Sequence, residues 1–174
     1  VYHFGMHALL VLIVTVAAGV LSEYVYEKLM KKPSTISDCS ALVTGLILAL
    51  NMPPEIPVWI PALGGIFAII VVKQLYGGLG QNFMNPALAG RCFLMISFAG
   101  RMTDFAVSDH FRGVVDTVTG ATPLAALKTQ GFVEGTSVPV QNLFFGNIQG
   151  TIGETSALAI LIGAVILLVF KVIE

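Results

Sequence analysis

The sequence predicts an all-α, polytopic integral membrane protein with short and broken helices, part of a channel-like bundle built from inverted repeats. Hydrophobic residues make up 56% of the chain and charged residues only 11%. The mean hydropathy is +0.88, which is typical of a chain embedded in lipid. Clusters of proline and glycine interrupt the apolar segments. We expect residues 1–174 to form a single membrane domain, and a partial one because the chain starts at Val1 rather than at a methionine.

Hydropathy marks five apolar segments. Three are long enough to cross about 30 Å of hydrocarbon at roughly 20 residues each: Phe4–Leu21, Phe83–Gly100 and Thr155–Ile173. Two are shorter, Ala41–Leu50 and Val58–Val72. Short apolar helices between prolines and glycines indicate broken or re-entrant elements, which membranes accommodate where protein or a water-lined cavity satisfies the backbone. We expect a binding cavity at the proline-rich and glycine-rich junctions that flank the second short segment.

The positive-inside rule gives an orientation. Lys28, Lys31 and Lys32 follow the first segment and predict that its end faces the cytoplasm. If the segments then alternate, Lys73 returns to the cytoplasmic side and residues 101–154 form an extracytoplasmic loop. A loop of this length in a compact membrane chain is more often functional than passive.

A Thr-Pro pair in this loop predicts the start of a short helix. Thr122 suits the N-cap and Pro123 the first helical position, where its missing N–H costs nothing. A phosphate on the Thr122 hydroxyl would meet the free amides of Leu124 and Ala125 and the positive end of the helix dipole. As a cap alone, such a pair is more often an ordinary helix start that binds nothing.

The same stretch resembles the flavinylation motif, an Asp followed by Ser/Thr-Gly-Ala-Thr, in which the last threonine receives FMN through a phosphoester bond. The matching residues are Asp116, Thr119, Gly120, Ala121 and Thr122. Three further segments resemble the D subunit of the Rnf electron-transport complex and, more distantly, the B subunit of the sodium-pumping NADH:quinone reductase. These segments are Asp38–Gly45, Tyr76–Ala87 and Gly153–Ala159. Several motifs in family order are far more specific than one.

The resemblance implies a membrane redox subunit with FMN bonded to Thr122, together with a noncovalent riboflavin whose residues it does not place. Asp116, Thr119, Gly120, Ala121 and Leu124 would shape the FMN site or serve the flavin transferase that fills it. Rnf complexes couple electron flow between ferredoxin and NAD to transport of Na⁺ or H⁺ in a bacterial or archaeal cytoplasmic membrane. The implied partners are other Rnf subunits, including an extracytoplasmic flavoprotein and iron–sulfur subunits. This sequence contains neither GxGxxG nor a cysteine cluster, so partners would handle NAD and ferredoxin.

Three polar residues near the fourth segment are candidate ligands of a flavin. Arg91 lies inside an apolar run, where arginine usually faces a partner or a cavity. It could bind a flavin or quinone oxygen, or form a structural pair with a carboxylate or with backbone carbonyls. Asn82 and Asn85 border the glycine-rich turn and could bind flavin, coordinate an ion or cap the helix.

Other polar residues have simpler explanations. Glu154 and Thr155 suit the first turn of the last helix, and Asp38 suits an N-cap of the short second one. We interpret Cys39 and Cys92 as small buried residues. The sequence shows no dense carboxylate cluster, so it does not identify the coupled ion. No role is assigned to the histidines.

A different functional class stays open. Asn85-Pro86-Ala87 repeats the tripeptide that aquaporins place at their half-helices, which favours a channel or transporter of small solutes. This chain has one copy, whereas aquaporins have two. A third possibility, a membrane scaffold, leaves the flavinylation-like stretch unexplained. A net charge of −1 gives no basic surface for nucleic acid, so we expect no such partner.

Overall fold

A computed structural model describes residues 4–105, 140–146, 148 and 150–172. The described residues form helices and no strand, which confirms the all-α membrane class. The helices are α1 (Gly5–Leu29), α2 (Ser40–Leu50), α3 (Trp59–Phe67), α4 (Pro86–Ser97), α5 (Ala99–Met102), α6 (Val140–Phe145) and α7 (Ala157–Val169). A 3-10 turn precedes α2 at Ile36–Asp38, and α3 continues as a π-helix over Ala68–Gln74.

Helix α1 is longer than the sequence predicts. It runs to Leu29 rather than ending at Leu21, and among the described helices it alone is long and apolar enough to cross a membrane. At 1.5 Å per residue its 25 residues extend about 37 Å. The prediction ended too early because Glu23 and Glu27 look like the water-facing end of a span. Both are in fact buried, at 0% and 3% exposure.

The predicted spans Phe83–Gly100 and Thr155–Ile173 are too long. Helix α4 has 12 residues, about 18 Å, and ends where Phe98 leaves helical geometry at φ −133° and ψ 43°. Helix α7 has 13 residues and begins behind Ser156, whose side chain accepts a hydrogen bond from the Ala159 amide. Glu154 and Thr155 therefore precede the helix that they were expected to open.

Glycines bring α1, α2 and α3 into close contact, as small residues do in membrane bundles. A Cβ on Gly45 would lie 2.9 Å from Val16 Cα, and one on Gly65 would lie 3.1 Å from the Thr15 carbonyl oxygen. The core beside these contacts includes Ala8, Val11, Leu48, Met52, Ile60 and Leu94. The contact between α1 and α2 is thus made by backbone against backbone.

Gly45→Ala is expected to destabilise the bundle by about 1–3 kcal/mol, because the new methyl group meets backbone that cannot turn aside. Thermal unfolding of the full-length protein in detergent would measure this loss. Gly163→Ala is the matched control, since a Cβ there has open space within 4 Å. The control should be neutral or up to about 1 kcal/mol stabilising through helix propensity. Equal effects of the two substitutions would contradict the close contact.

The bundle has two distinct ends. At one end His7 Nε2 lies 3.0 Å from the Ile56 carbonyl oxygen. At the other, Glu23 contacts Lys73. Sixteen residues of α1 separate His7 from Glu23, which is about 24 Å. We call the first the proline end, after the proline-rich segment 53–61, and the second the lysine end.

Both flanks of the long predicted loop lie at the proline end. The Ile152 amide donates to the Met52 carbonyl at 3.1 Å, and the Gly153 amide donates to the Leu50 carbonyl at 2.8 Å. Met102, at the other flank, is buried in the same cluster as Met52. The described flanks of the loop therefore lie at the end of the bundle opposite Lys73.

Candidate functional site

The flavinylation-like stretch lies outside the described residues. This applies to Asp116, Thr119, Gly120, Ala121, Thr122 and Leu124, and to the predicted cap at Pro123. The structure instead describes two polar places inside the bundle, one at the lysine end and one on α4.

A buried ion pair forms the centre of the lysine end. Lys73 Nζ lies 2.5 Å from Glu23 Oε1, and the two side chains are 1% and 0% exposed. Gln74 Nε2 donates to the same carboxylate oxygen at 2.7 Å. A buried pair of this kind is stable only when further hydrogen bonds satisfy it, and removing one partner is strongly destabilising.

The π-helix after α3 explains how Lys73 and Gln74 both face inward to Glu23. Val72, Lys73 and Gln74 are consecutive, yet all three are at most 3% exposed. In an α-helix, neighbours are turned by about 100° from one another, so three in a row rarely share one buried face. The wider π turn reduces that spread, and such turns occur frequently at functional sites.

A second carboxylate joins the cluster through the segment after α1. The Thr35 amide donates to Glu27 Oε1 at 3.0 Å. The Thr35 hydroxyl lies 2.5 Å from Glu27 Oε1 and 3.0 Å from Glu23 Oε1. The second oxygen of each carboxyl group, Oε2, is buried and has no hydrogen-bond partner among the described residues.

Asp38 and Ser40 extend the cluster towards α2. Lys73 Nζ donates to Ser40 Oγ at 2.5 Å, and Ser40 donates from its hydroxyl and its amide to Asp38 Oδ1. The hydrogen bonds from the Ser40 side chain and backbone, aided by the charge of Lys73, lower the pKa of Asp38 against a smaller opposing effect of burial. The expected N-cap at Asp38 is displaced by one residue, since Cys39 occupies the cap position at φ 57° and its side chain makes no capping hydrogen bond.

Sequence reasoning missed this cluster. In the sequence, Lys73 indicates only the orientation of the chain in the membrane, and no pattern assigns a role to Glu23 or Glu27. The available signal was the spacing of Glu23 and Glu27, because residues four apart share one face of a helix and carboxylates inside an apolar helix are costly. The sequence contains no dense run of carboxylates, but the fold builds a cluster from two glutamates and adds a cation from 50 residues away.

The second polar place is on α4. Arg91 Nη1 donates to Asn51 Oδ1 at 2.7 Å, and Asn51 in turn donates to the Ile47 carbonyl at 2.8 Å. Among the described residues, the partner of Arg91 is therefore a side-chain amide and not a carboxylate or a backbone carbonyl. The arginine is half-buried and reaches from α4 to the end of α2.

Asn82 and Asn85 lie near the start of α4, away from the Arg91 pair. The Asn85 side chain accepts from the Ala87 and Leu88 amides, which confirms that it caps the helix. Asn82 donates to the Met84 carbonyl at 2.7 Å and accepts from the Gly80 amide at 3.2 Å. Arg91 is six residues beyond the cap, about 9 Å along the axis. The hydrogen bonds of the three candidates thus do not meet at one point.

Two other features bear on the candidate chemistry. Cys39 and Cys92 are exposed rather than buried, since Cys39 lies in the turn before α2 and Cys92 on the face of α4 opposite Gly90. Within residues 4–105 and the described parts of 140–172, no three His, Cys, Asp or Glu side chains are grouped for a metal ion.

Comparison with known proteins gives one family. The model of the NQR2, RnfD, RnfE family matches residues 1–174. The chain is 49% identical over 170 residues to the D subunit of the Na⁺-translocating ferredoxin:NAD⁺ oxidoreductase complex of Acetobacterium woodii, covering 96% of this chain and 51% of that protein.

Two further relatives are more distant. The D subunit of the proton-translocating ferredoxin:NAD⁺ oxidoreductase complex of Clostridium ljungdahlii is 42% identical over 180 residues, covering 100% of this chain and 54% of that protein. The B subunit of the Na⁺-translocating NADH-quinone reductase of Ectopseudomonas mendocina is 41% identical over 132 residues, covering 75% of this chain and 32% of that protein. The chain spans about half the length of the curated D subunits that it matches.

Proposed function

This chain belongs to the NQR2, RnfD, RnfE family, and on that premise we propose that it is the membrane redox subunit of an ion-translocating ferredoxin:NAD oxidoreductase complex. In this proposal FMN bonded to Thr122 carries electrons, and their transfer is coupled to transport of Na⁺ or H⁺. The observation that carries the proposal is the stretch from Asp116 to Thr122 in a chain whose relatives are named as subunits of such complexes.

The donor set around Thr122 suits a phosphoryl group. The threonine supplies a hydroxyl, and a helix beginning at Pro123 would supply the free amides of Leu124 and Ala125. Residues 122–128 contain no carboxylate, and Lys128 adds a positive charge. A bound FMN would supply reversible electron transfer, and its bond to the threonine would keep it from being lost to the medium.

The positions of the loop flanks support an extracytoplasmic Thr122. Met102 and Ile152 hold the two ends of the loop at the proline end, away from Lys28, Lys31 and Lys32. Because lysines near a span favour the cytoplasmic side, the proline end and its loop would face outward. The 101–154 loop would then present FMN to partner subunits outside the membrane, among them a flavoprotein, while iron–sulfur subunits handle ferredoxin.

The lysine end supports ion coupling. Glu23 and Glu27 each have a buried carboxylate oxygen with no partner among the described residues. Ionisable groups buried in a membrane protein usually mark an ion or proton path. Acids near the side where lysines indicate cytoplasm, together with a flavin on the opposite side, would allow electron transfer and ion movement to use separate parts of the chain.

A small-solute channel is the second candidate, favoured by one observation. Asn85 caps a helix of only 12 residues that starts with Pro86-Ala87, as a re-entrant half-helix would. Arg91 on this helix, with Asn82 and Asn85 at its start, would then line a solute path. In the redox proposal the same three side chains are candidates for contact with the noncovalent riboflavin.

Covalent flavin is directly measurable in the wild-type protein. We expect the full-length chain from cells with an active flavin transferase to give a fluorescent band that survives denaturing electrophoresis. Mass spectrometry of its peptides should place the added FMN mass on the peptide that contains Thr122. A dark band from such cells, or a flavin on another residue, would contradict the proposal and favour the channel.

A further inference from the structure

Exposed lysines and exposed apolar side chains lie next to each other at the lysine end. Lys28, Lys31 and Lys32 lie at the end of α1, and a glycine-rich turn of residues 76–84 follows the π-helix. We infer that this surface binds an anionic phospholipid, whose headgroup phosphate contacts the lysines and whose acyl chains contact the turn. This binding depends neither on a flavin nor on ion transport.

The three lysines are available to an external anion. All three are exposed, and within residues 4–105 none of them forms an ion pair with a carboxylate. Glu23 and Glu27, on the same helix, are buried. Asp38 is exposed, and its carboxylate accepts from the Ser40 amide. In the described segments at this end, three exposed cations therefore face one exposed anion, which favours a negatively charged ligand.

The end of α1 has a lysine at a position that glycine occupies more easily. The Lys32 amide donates to the Glu27 carbonyl at 2.9 Å, which closes a Schellman turn. Lys31 lies inside that turn at φ 52°, in the left-handed region where glycine or asparagine is usual. Backbone strain of this kind is concentrated at functional positions. A charge kept at that cost supports a role in binding.

Two tyrosines hold ammonium groups at the level of the lipid headgroups. Lys28 Nζ lies 5.7 Å from the centre of the Tyr24 ring, and Lys32 Nζ lies 5.0 Å from the centre of the Tyr26 ring. Tyrosine is enriched where a membrane meets water. The 25 residues of α1 extend about 37 Å, beyond about 30 Å of hydrocarbon, so the last turn reaches the phosphates.

The glycine-rich turn adds an apolar surface beside Lys32. Lys32 Nζ lies 3.5 Å from the carbonyl oxygen of Gln74, just before the turn. The exposed rings of Tyr76 and Phe83 pack with their centres 4.6 Å apart, and Leu79 is 68% exposed. A molecule with an anionic head and apolar chains matches both parts of the surface, whereas a soluble anion would leave the apolar side chains uncovered.

Native mass spectrometry of the full-length protein with added phosphatidylglycerol tests this surface. Replacing Lys28, Lys31 and Lys32 together by glutamine should raise the Kd of the most tightly bound phosphatidylglycerol by about fivefold per lysine. Binding of zwitterionic phosphatidylcholine should not change. Arg101→Gln is the matched control, since it removes an exposed positive charge at the proline end and should leave the Kd as it is. Equal affinity of the wild type and the triple variant for phosphatidylglycerol would overturn the inference.

A variant of the turn distinguishes a lipid from other ligands. Leu79→Gln keeps every lysine and should weaken phosphatidylglycerol binding about tenfold, because a polar side chain then meets the acyl chains. An unchanged affinity would mean that the surface binds phosphate alone, which would refute the lipid assignment. So would loss of a partner subunit from the triple variant with lipid binding intact, because the lysines would then bind a protein. The fluorescent flavin band should persist in every variant, so this inference and the proposed function can fail separately.

Discussion

Thr122→Ala is expected to remove the covalent flavin completely and to stop electron transfer from ferredoxin to NAD by the complex, while the subunit still assembles. The substitution deletes the one oxygen to which the phosphate would be bonded. Its structural cost is at most that of a lost helix cap, about 1 kcal/mol. In-gel fluorescence measures the flavin, ferredoxin-dependent reduction of NAD measures transfer, and co-purification of partner subunits measures assembly.

Two matched variants separate the chemistry from the fold. Thr136→Ala removes a hydroxyl from the same loop outside the motif and should keep both fluorescence and activity. Thr122→Ser retains a hydroxyl at the site and should restore at least part of the fluorescence. Full activity of a non-fluorescent Thr122→Ala complex would show that the threonine carries no electrons.

Lys73→Met is expected to destabilise the protein by about 3–5 kcal/mol, because it leaves the Glu23 carboxylate buried without its cation. Methionine preserves most of the length and volume of lysine, so the loss should come from charge rather than from packing. The midpoint of thermal unfolding of the full-length protein in detergent measures it. The exposed Lys28→Met is the control, with an expected change within about 0.5 kcal/mol.

The double variant Glu23→Gln with Lys73→Met tests the cause. Glutamine removes the uncompensated charge and keeps hydrogen-bonding capacity towards Gln74 and Thr35. We expect the double variant to be more stable than Lys73→Met alone, which is the non-additivity that a direct pair produces. Additive losses would mean that the two side chains do not depend on one another.

The sequence predicts the class of fold well, because a chain surrounded by lipid must be rich in apolar residues and must satisfy its backbone within helices. The short helix α2 and the asparagine cap of α4 could be predicted because they depend on neighbouring residues alone. An apolar run gives the helix, and an asparagine before a proline gives its start. The described flanks of the 101–154 loop lie at the end of the bundle opposite Lys73, which is where a simple alternation of the segments predicts them.

The polar cluster could not be predicted because it is not local. Glu23 and Lys73 are 50 residues apart, and the register that aims Lys73 at the carboxylate depends on a π turn that hydropathy does not reveal. The same limit applies to Arg91, whose partner Asn51 is 40 residues away. The length of α1 was underestimated for a related reason, because Glu23 and Glu27 resemble a water boundary in the sequence although the fold buries them.

The π turn also separates two packing requirements within one helix. In a helix with a uniform turn angle, the side of the helix on which each residue lies, its phase, is fixed along the whole length. The residue that faces a neighbouring helix in the first turn therefore determines which residue faces that neighbour two turns later. The π-helix that continues α3 changes that phase between Gly65 and Lys73. The first half can therefore pack Gly65 against α1 while the second half directs the Lys73 ammonium group at Glu23, and each half meets its own packing requirement.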